Sequence, residues 1–208
     1  MKFLVYIHFR IYLFWSAIYR KIQRIYWCSD YADIKQTTEL EWMKHKKNAF
    51  PDSSLNKIPV THFSQLQTFW KHIMNDISWR KDPWNQLWDA VSDPFVSYYL
   101  RGDDCDGFAF MATKIIGEYL RVGWSRSDYD VYRFASISFV INYKKKRGHA
   151  VSIWKEEGGQ KIIIVSNKEV KKFQDRAEFL TWFNQVFFKP SWIVETDKKL
   201  KIKEIIRL

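Results

Sequence analysis

The chain is predicted to fold as an α+β protein, with helices in its first half and an antiparallel sheet in its second. Three observations carry this. Apolar residues recur at steps of three and four as far as residue 120, and at steps of two from residue 131. They make up 47% of the sequence, which excludes a disordered or low-complexity chain and is enough for one packed core. A length of 208 residues leaves room for one domain plus an appendage, and helices followed by strands is the order of α+β proteins.

Taken in order, Leu4, Ile7, Ile11, Phe14, Trp15, Ile18, Ile22 and Ile25 form one stripe, and His8, Ser16, Arg20, Gln23 and Arg24 fall elsewhere on the wheel. Residues 1–27 therefore read as an amphipathic helix with a basic polar side. Its stripe is expected to pack on the chain's own domain; the alternatives are an anionic membrane surface and a partner protein. Phe3 to Tyr19 carries His8 and Arg10 and is followed by no small-residue cleavage site, so it suits neither a membrane span, which needs ~20 apolar residues, nor a signal peptide.

Ser29 to Pro59 is mixed and polar, and Phe50-Pro51-Asp52-Ser53-Ser54 reads as a loop, so the expected division is 1–50 as helix and linker and 51–208 as the domain. Leu66, Phe69, Trp70, Ile73 and Ile77 mark a helix that stops by Pro83, and Trp84 to Val91 a short further one. From Asp106, the positions Phe108, Met111, Ala112, Ile115, Ile116, Tyr119 and Leu120 trace the strongest helical stripe, ending at Gly123. Strands are expected at Val131–Tyr143, His149–Trp154 and Lys161–Val165, the last two joined by a turn at Glu156–Gln160. A helix at Ala177–Phe188 and a hairpin of Trp192–Thr196 with Leu200–Leu208 close the chain.

The net charge of +11 favours acidic partners, nucleic acid or anionic membrane among them, although no nucleic-acid-reading module accompanies the charge. Two cysteines, Cys28 and Cys105, are too few for a disulfide scaffold, which makes a reducing, cytoplasmic compartment the expectation; membrane association and a viral particle are the alternatives. No zinc spacing and no phosphate-cradling glycine loop are present. Asp103, Asp104 and Asp106 lack the alternating positions of a calcium loop, so no metal or other cofactor is expected.

Cys105 is the residue from which chemistry can be argued. It stands at the first turn of the strongest helix, where unpaired amides and the helix dipole favour a thiolate and can hold an oxyanion. The three neighbouring acids oppose a thiolate, and Lys144-Lys145-Lys146-Arg147 is a source of offsetting charge. A thiolate mechanism needs an imidazole and a group that orients it. Of the five histidines, His149 is the candidate, at the entrance to a strand. With a turn centred on Gly158, Val151 faces Val165, Ile153 faces Ile163 and His149 faces Asn167, Cβ atoms ~4.5–5.5 Å apart; a slip of one residue offers Ser166 instead.

Gly-Asp-Asp-Cys-Asp-Gly-Phe-Ala on a helix, Gly-His-Ala-Val-Ser-Ile on a strand and Ile-Ile-Ile-Val-Ser-Asn at the end of the next resemble the transglutaminase-like cysteine peptidases of the papain-like superfamily. The resemblance covers about Asp82 to Lys168. It implies a papain-like fold with the nucleophile at a helix N-terminus packed on an antiparallel sheet, and a catalytic triad of Cys105 as nucleophile, His149 as base and then acid, and Asn167 as the orienting residue. Bacterial members usually carry Asp in the third place, and asparagine there is closer to papain. Papain-type enzymes place a glutamine before the cysteine for the oxyanion; this chain has none there, and since transglutaminase relatives use an aromatic group, Tyr99, Tyr98 and Trp88 are the oxyanion candidates. A thiol protease or amidase acting on a peptide or protein through a thioester is the function expected; the alternative is the same fold without turnover, serving as a viral particle component or a peripheral membrane protein.

Overall fold

Helices α1 (Lys2–Tyr26), α2 (Tyr31–Ala49) and α3 (Phe63–Asn75) lead into strand β1 (Ser78–Trp79), helix α4 (Pro94–Tyr99), strand β2 (Gly102–Asp103) and helix α5 (Cys105–Arg121). The second half holds β3 (Phe134–Asn142), β4 (Arg147–Lys155), β5 (Ile162–Ser166), β6 (Glu169–Phe173), α6 (Arg176–Val186), β7 (Trp192–Thr196) and β8 (Ile202–Arg207). The structure, a computed structural model, describes residues 1–26, 29–49, 63–80, 90–121, 134–155, 160–197 and 199–208. The six long strands form one antiparallel sheet in the order β6-β5-β4-β3-β7-β8, so the fold is α+β as the change of period predicts.

The sheet is covered on both faces. On one, Trp154, Ile163, Val165 and Val170 meet Trp70, Ile73, Phe108, Met111 and Ile115 of α3 and α5. On the other, Val140, Val151, Ile153 and Ile164 meet Phe179 and Phe183 of α6. Alternation along β4 makes the division explicit: Ala150, Ser152 and Trp154 look toward α5, and His149, Val151 and Ile153 toward α6.

Three expectations are corrected. The stretch read as a polar linker contains helix α2, whose Ile34 and Trp42 enter the same core cluster as residues of α3 and α5. Ile153 lies opposite Ile164, not Ile163, one residue away from the expected register. Ile162, Ile163, Ile164 and Val165 are all buried, on both faces of the strand, so apolar partners meet in either register and the pattern cannot select one. An added strand, β6, pairs with β5 through a turn at residues 167–168. The expected helix at Trp84–Val91 falls largely outside the described residues, and its described end, Ala90 and Val91, is not helical.

The third correction concerns α1. Val5, Phe9 and Leu13 dock on Phe110, Phe139 and Ile205, while the stripe expected to face the domain faces outward. The polar residues turn inward with the docking face. Ser16 Oγ accepts from the Val91 amide at 3.1 Å, Arg20 donates to the Val91 carbonyl at 3.1 Å, and Gln23 Oε1 accepts from the Asp93 amide at 2.8 Å. Arg24 pairs at 2.8 Å with Asp93, whose fully buried carboxylate also caps α4 through the Phe95 amide and accepts from the Tyr31 hydroxyl. These bonds leave few of that segment's backbone and carboxylate groups without partners, which is why the polar side is the inner one.

Candidate active site

The first residue of α5 and the third of β4 meet at a cleft of about 820 Å³ lined by both Cys105 and His149, within the size range of small-molecule sites. Helix α1 supplies a wall through His8, Phe9 and Tyr12; β1 supplies Trp79; the β3–β4 hairpin supplies Lys146 and Arg147; Val186 to Phe188 close the side beyond α6. His8, which the helical wheel sets on a basic surface, therefore belongs to the cleft. Tyr12 and Trp79 belong to it as well, and neither lies in a motif that the sequence could have flagged. Trp79 is delivered by the parallel pairing of β1 with β2, opposite Asp103.

Cys105 is half-buried, lies outside any disulfide, and packs, as Tyr12 and Ile141 do, against the core cluster that contains Phe139 and Ala150. Asp104 sits just before it in the capping position and accepts from the Asp106 amide at 3.3 Å, while Asp103 accepts from the Asp104 amide at 2.9 Å. Asp106 is fully buried; burial first, then the hydrogen bond and charge of Asp104, push its carboxyl well above the usual carboxylate range, against the pull of the Tyr12 hydroxyl and the Gly107 amide. The Tyr12 hydroxyl donates to Asp106, tying α1 to the start of α5. The three acids each offer an oxygen within 4.8 Å of the others, and among the described residues they form the group with spacing for a divalent cation. Lys146 and Arg147 line the same cleft and add positive charge to its wall.

Gly107 is needed for space. A Cβ there would lie 2.1 Å from the Asp103 carboxylate, which is buried and bonded to the Asp104 amide. Gly107→Ala should therefore lower stability by about 1–3 kcal/mol through overpacking, despite the ~1 kcal/mol that alanine gains in a helix. Urea unfolding checks this, and a neutral or stabilised variant would show that the acid cluster is not seated on that glycine.

His149 is 8% exposed, stacks on Phe187 with ring centroids 4.3 Å apart, and shares a hydrogen bond between Nε2 and Ser166 Oγ at 2.8 Å. Burial pulls its pKa down to about 4, so the ring is neutral at pH 7. In the tautomer whose Nε2–H donates to Ser166, Nδ1 is the lone-pair nitrogen that can take a proton. The observed shift runs the other way from the slip that would set Ser166 directly opposite His149; it turns Ser166 onto the face that His149 shares, so the hydroxyl of Ser166, not the amide of Asn167, reaches the imidazole as a diagonal neighbour. Asn167 has a positive φ of 47° in the β5–β6 turn, a conformation asparagine tolerates well, and its Oδ1 is buried without a hydrogen-bond partner.

Among the oxyanion candidates, Tyr98 is buried with its hydroxyl 3.1 Å from His45 Nε2 and does not line the cleft; Tyr99 is on the surface and does not line it either. Trp88 lies outside the described residues. The tyrosine and tryptophan donors that do line the cleft are Tyr12, Tyr143 and Trp79.

No protein-family model matches the chain, and no curated protein matches it. Solved structures do. Calcium-bound LapG of Legionella pneumophila aligns over 83% of this chain and 90% of its own, at 15% identity and a TM-score of 0.48. Another structure of Legionella pneumophila LapG aligns over 73% of this chain and 82% of its own, at 15% identity and a TM-score of 0.36.

Proposed function

We propose that the chain is a cysteine hydrolase, a peptidase or amidase that works through a thioester on Cys105. One observation carries this reading: a thiol at the N-terminus of a buried helix and an imidazole held neutral by burial line the same cleft. Cys105 Sγ attacks the carbonyl carbon of a peptide or side-chain amide while its proton passes to His149. His149 then gives that proton to the leaving nitrogen as the C–N bond breaks, leaving the thioester. Water attacks the thioester with His149 taking its proton, the S–C bond breaks, and the proton returns to sulfur. Ser166 holds the ring, and Asn167 is the other orienting candidate. Amides at the amino end of α5, the indole N–H of Trp79 and the hydroxyl of Tyr143 are donors available to the oxyanion.

A second reading, the same fold without turnover, is favoured by a separate observation: His149 looks toward α6, where Phe187 and Ser166 already engage it. Iodoacetamide labelling of the reduced protein, read by mass spectrometry across pH, separates the two. For a hydrolase, Cys105 is alkylated at pH 7 at least about tenfold faster than an ordinary thiol, and His149→Ala removes the advantage. Labelling of Cys105 at the rate of an ordinary thiol, unchanged by His149→Ala, would assign the chain to the second reading.

A further inference from the structure

The inner side of α1 is accounted for by Phe9, Leu13, Ser16 and the bonds to Val91 and Asp93, and its outer side is not. Phe3, Phe14 and Ile25 are 70%, 62% and 69% exposed, and Leu4, Ile11 and Ile22 more than half exposed. These residues recur along the full length of the helix, roughly 37 Å at 1.5 Å per residue, and make a continuous apolar band opposite the docking face. Scattered exposed apolar residues need no explanation; a contiguous band of this length does. The band arises because α1 turns Ser16, Arg20, Gln23 and Arg24 toward the protein.

The charge around the band says what covers it. Helix α1 contains no acidic residue, and Lys2, Arg10 and Lys21 are exposed on it. Strand β8, which packs against α1, adds Lys203 and Arg207. The β3–β4 hairpin, whose Tyr143 meets His8 edge to face at 6.0 Å, adds Lys144 to Arg147. A second copy laid on the band would bring two such cationic collars together in a chain that already carries +11. An anionic bilayer meets both requirements, taking the apolar side chains into the acyl boundary and the Lys and Arg side chains among its headgroups. No helix among the described residues is long and apolar enough to cross a membrane, so α1 would lie in the surface.

We propose that the outward face of α1 binds the surface of an anionic lipid bilayer, with Phe3, Ile7, Ile11, Phe14, Ile22 and Ile25 inserted and the basic collar on the headgroups. Because His8, Phe9 and Tyr12 of the same helix wall the cleft, docking holds the cleft beside the membrane. The proposal does not depend on the chain being a hydrolase.

Sedimentation of the full chain with vesicles tests it. Vesicles of phosphatidylcholine with roughly a third phosphatidylglycerol should carry the protein down, phosphatidylcholine alone should carry much less, and added salt should weaken the binding. The double variant Ile11→Glu, Phe14→Glu, at two exposed positions, should bind at least about tenfold less while its circular dichroism and Cys105 labelling stay as in the parent. The proposal is overturned if the parent fails to sediment with the anionic vesicles at low salt, or if the double variant binds as tightly as the parent. It is also overturned if ultracentrifugation shows a dimer that the double variant dissolves, which would give the band to a second copy.

Discussion

Trp70→Ala is expected to destabilise the protein by about 3–5 kcal/mol, a large fraction of the ~5–15 kcal/mol that holds a domain of this kind folded. Trp70 has no exposed surface and sits among Ile73, Phe108, Met111 and Val165, where helix α3, helix α5 and the sheet converge. Truncation removes a large apolar side chain from a place with packed backbone on several sides, so the cavity cannot collapse easily. It also removes the indole N–H that donates to the Asn167 carbonyl at 2.6 Å. That carbonyl belongs to the turn directly after Ser166, so the loss reaches the support of His149 as well as the core. Trp70→Phe separates the two parts, because it keeps most of the volume and gives up the hydrogen bond, at a cost of ~1–3 kcal/mol for a buried group left unpaired. Urea unfolding followed by circular dichroism measures both. A loss below about 1 kcal/mol for Trp70→Ala would mean that α3 does not pack under the β5–β6 turn as described.

The parts legible in the sequence were those specified by neighbours along the chain. Phe108, Met111, Ile115 and Ile116 announce α5 because each falls on the stripe that its own helix buries, and Cys105 stands at the start because Asp104 precedes it as a cap. Helix α2 stayed hidden because its inner positions, Ile34, Thr38, Trp42 and Lys46, keep a four-residue step but hold two apolar residues among polar ones. Helix α1 was found, and its orientation was reversed. Both sides carry apolar residues, Val5, Phe9 and Leu13 on one and Phe3, Ile11 and Phe14 on the other, and periodicity does not say which stripe the rest of the protein will cover. The same limit governs the site. Cys105 and His149 could be nominated from local context, whereas Ser166 reaches the imidazole only through a strand register that four successive buried aliphatic residues leave undetermined. Tyr12, Trp79 and His8 arrive by tertiary packing alone.

The burial that keeps His149 neutral has a price in stability that pH should reveal. Its pKa falls from 6.5 to about 4 on folding, through desolvation. A histidine whose folded pKa is lowered stabilises the fold fully above its unfolded pKa, and that contribution is lost as pH falls from about 6.5 toward 4, because the unfolded chain takes up the proton first. The shift corresponds to roughly 3 kcal/mol. Asp106 acts with the opposite sign: its raised carboxyl stabilises the fold below the ordinary carboxylate pKa and loses that effect as pH rises through the folded value, so the two partly offset each other in the parent protein. Comparison with His149→Gln removes the common part. The stability difference between parent and variant, from urea unfolding at pH 7, 5.5 and 4, should shift by roughly 3 kcal/mol against the parent over that range. Parallel pH profiles would mean that His149 is solvated, able to carry charge near neutral pH and to form an ion pair with Cys105. A profile that shifts as expected means that the imidazole waits as a neutral acceptor, and that the fast alkylation of Cys105 comes from proton transfer to His149 as the sulfur attacks.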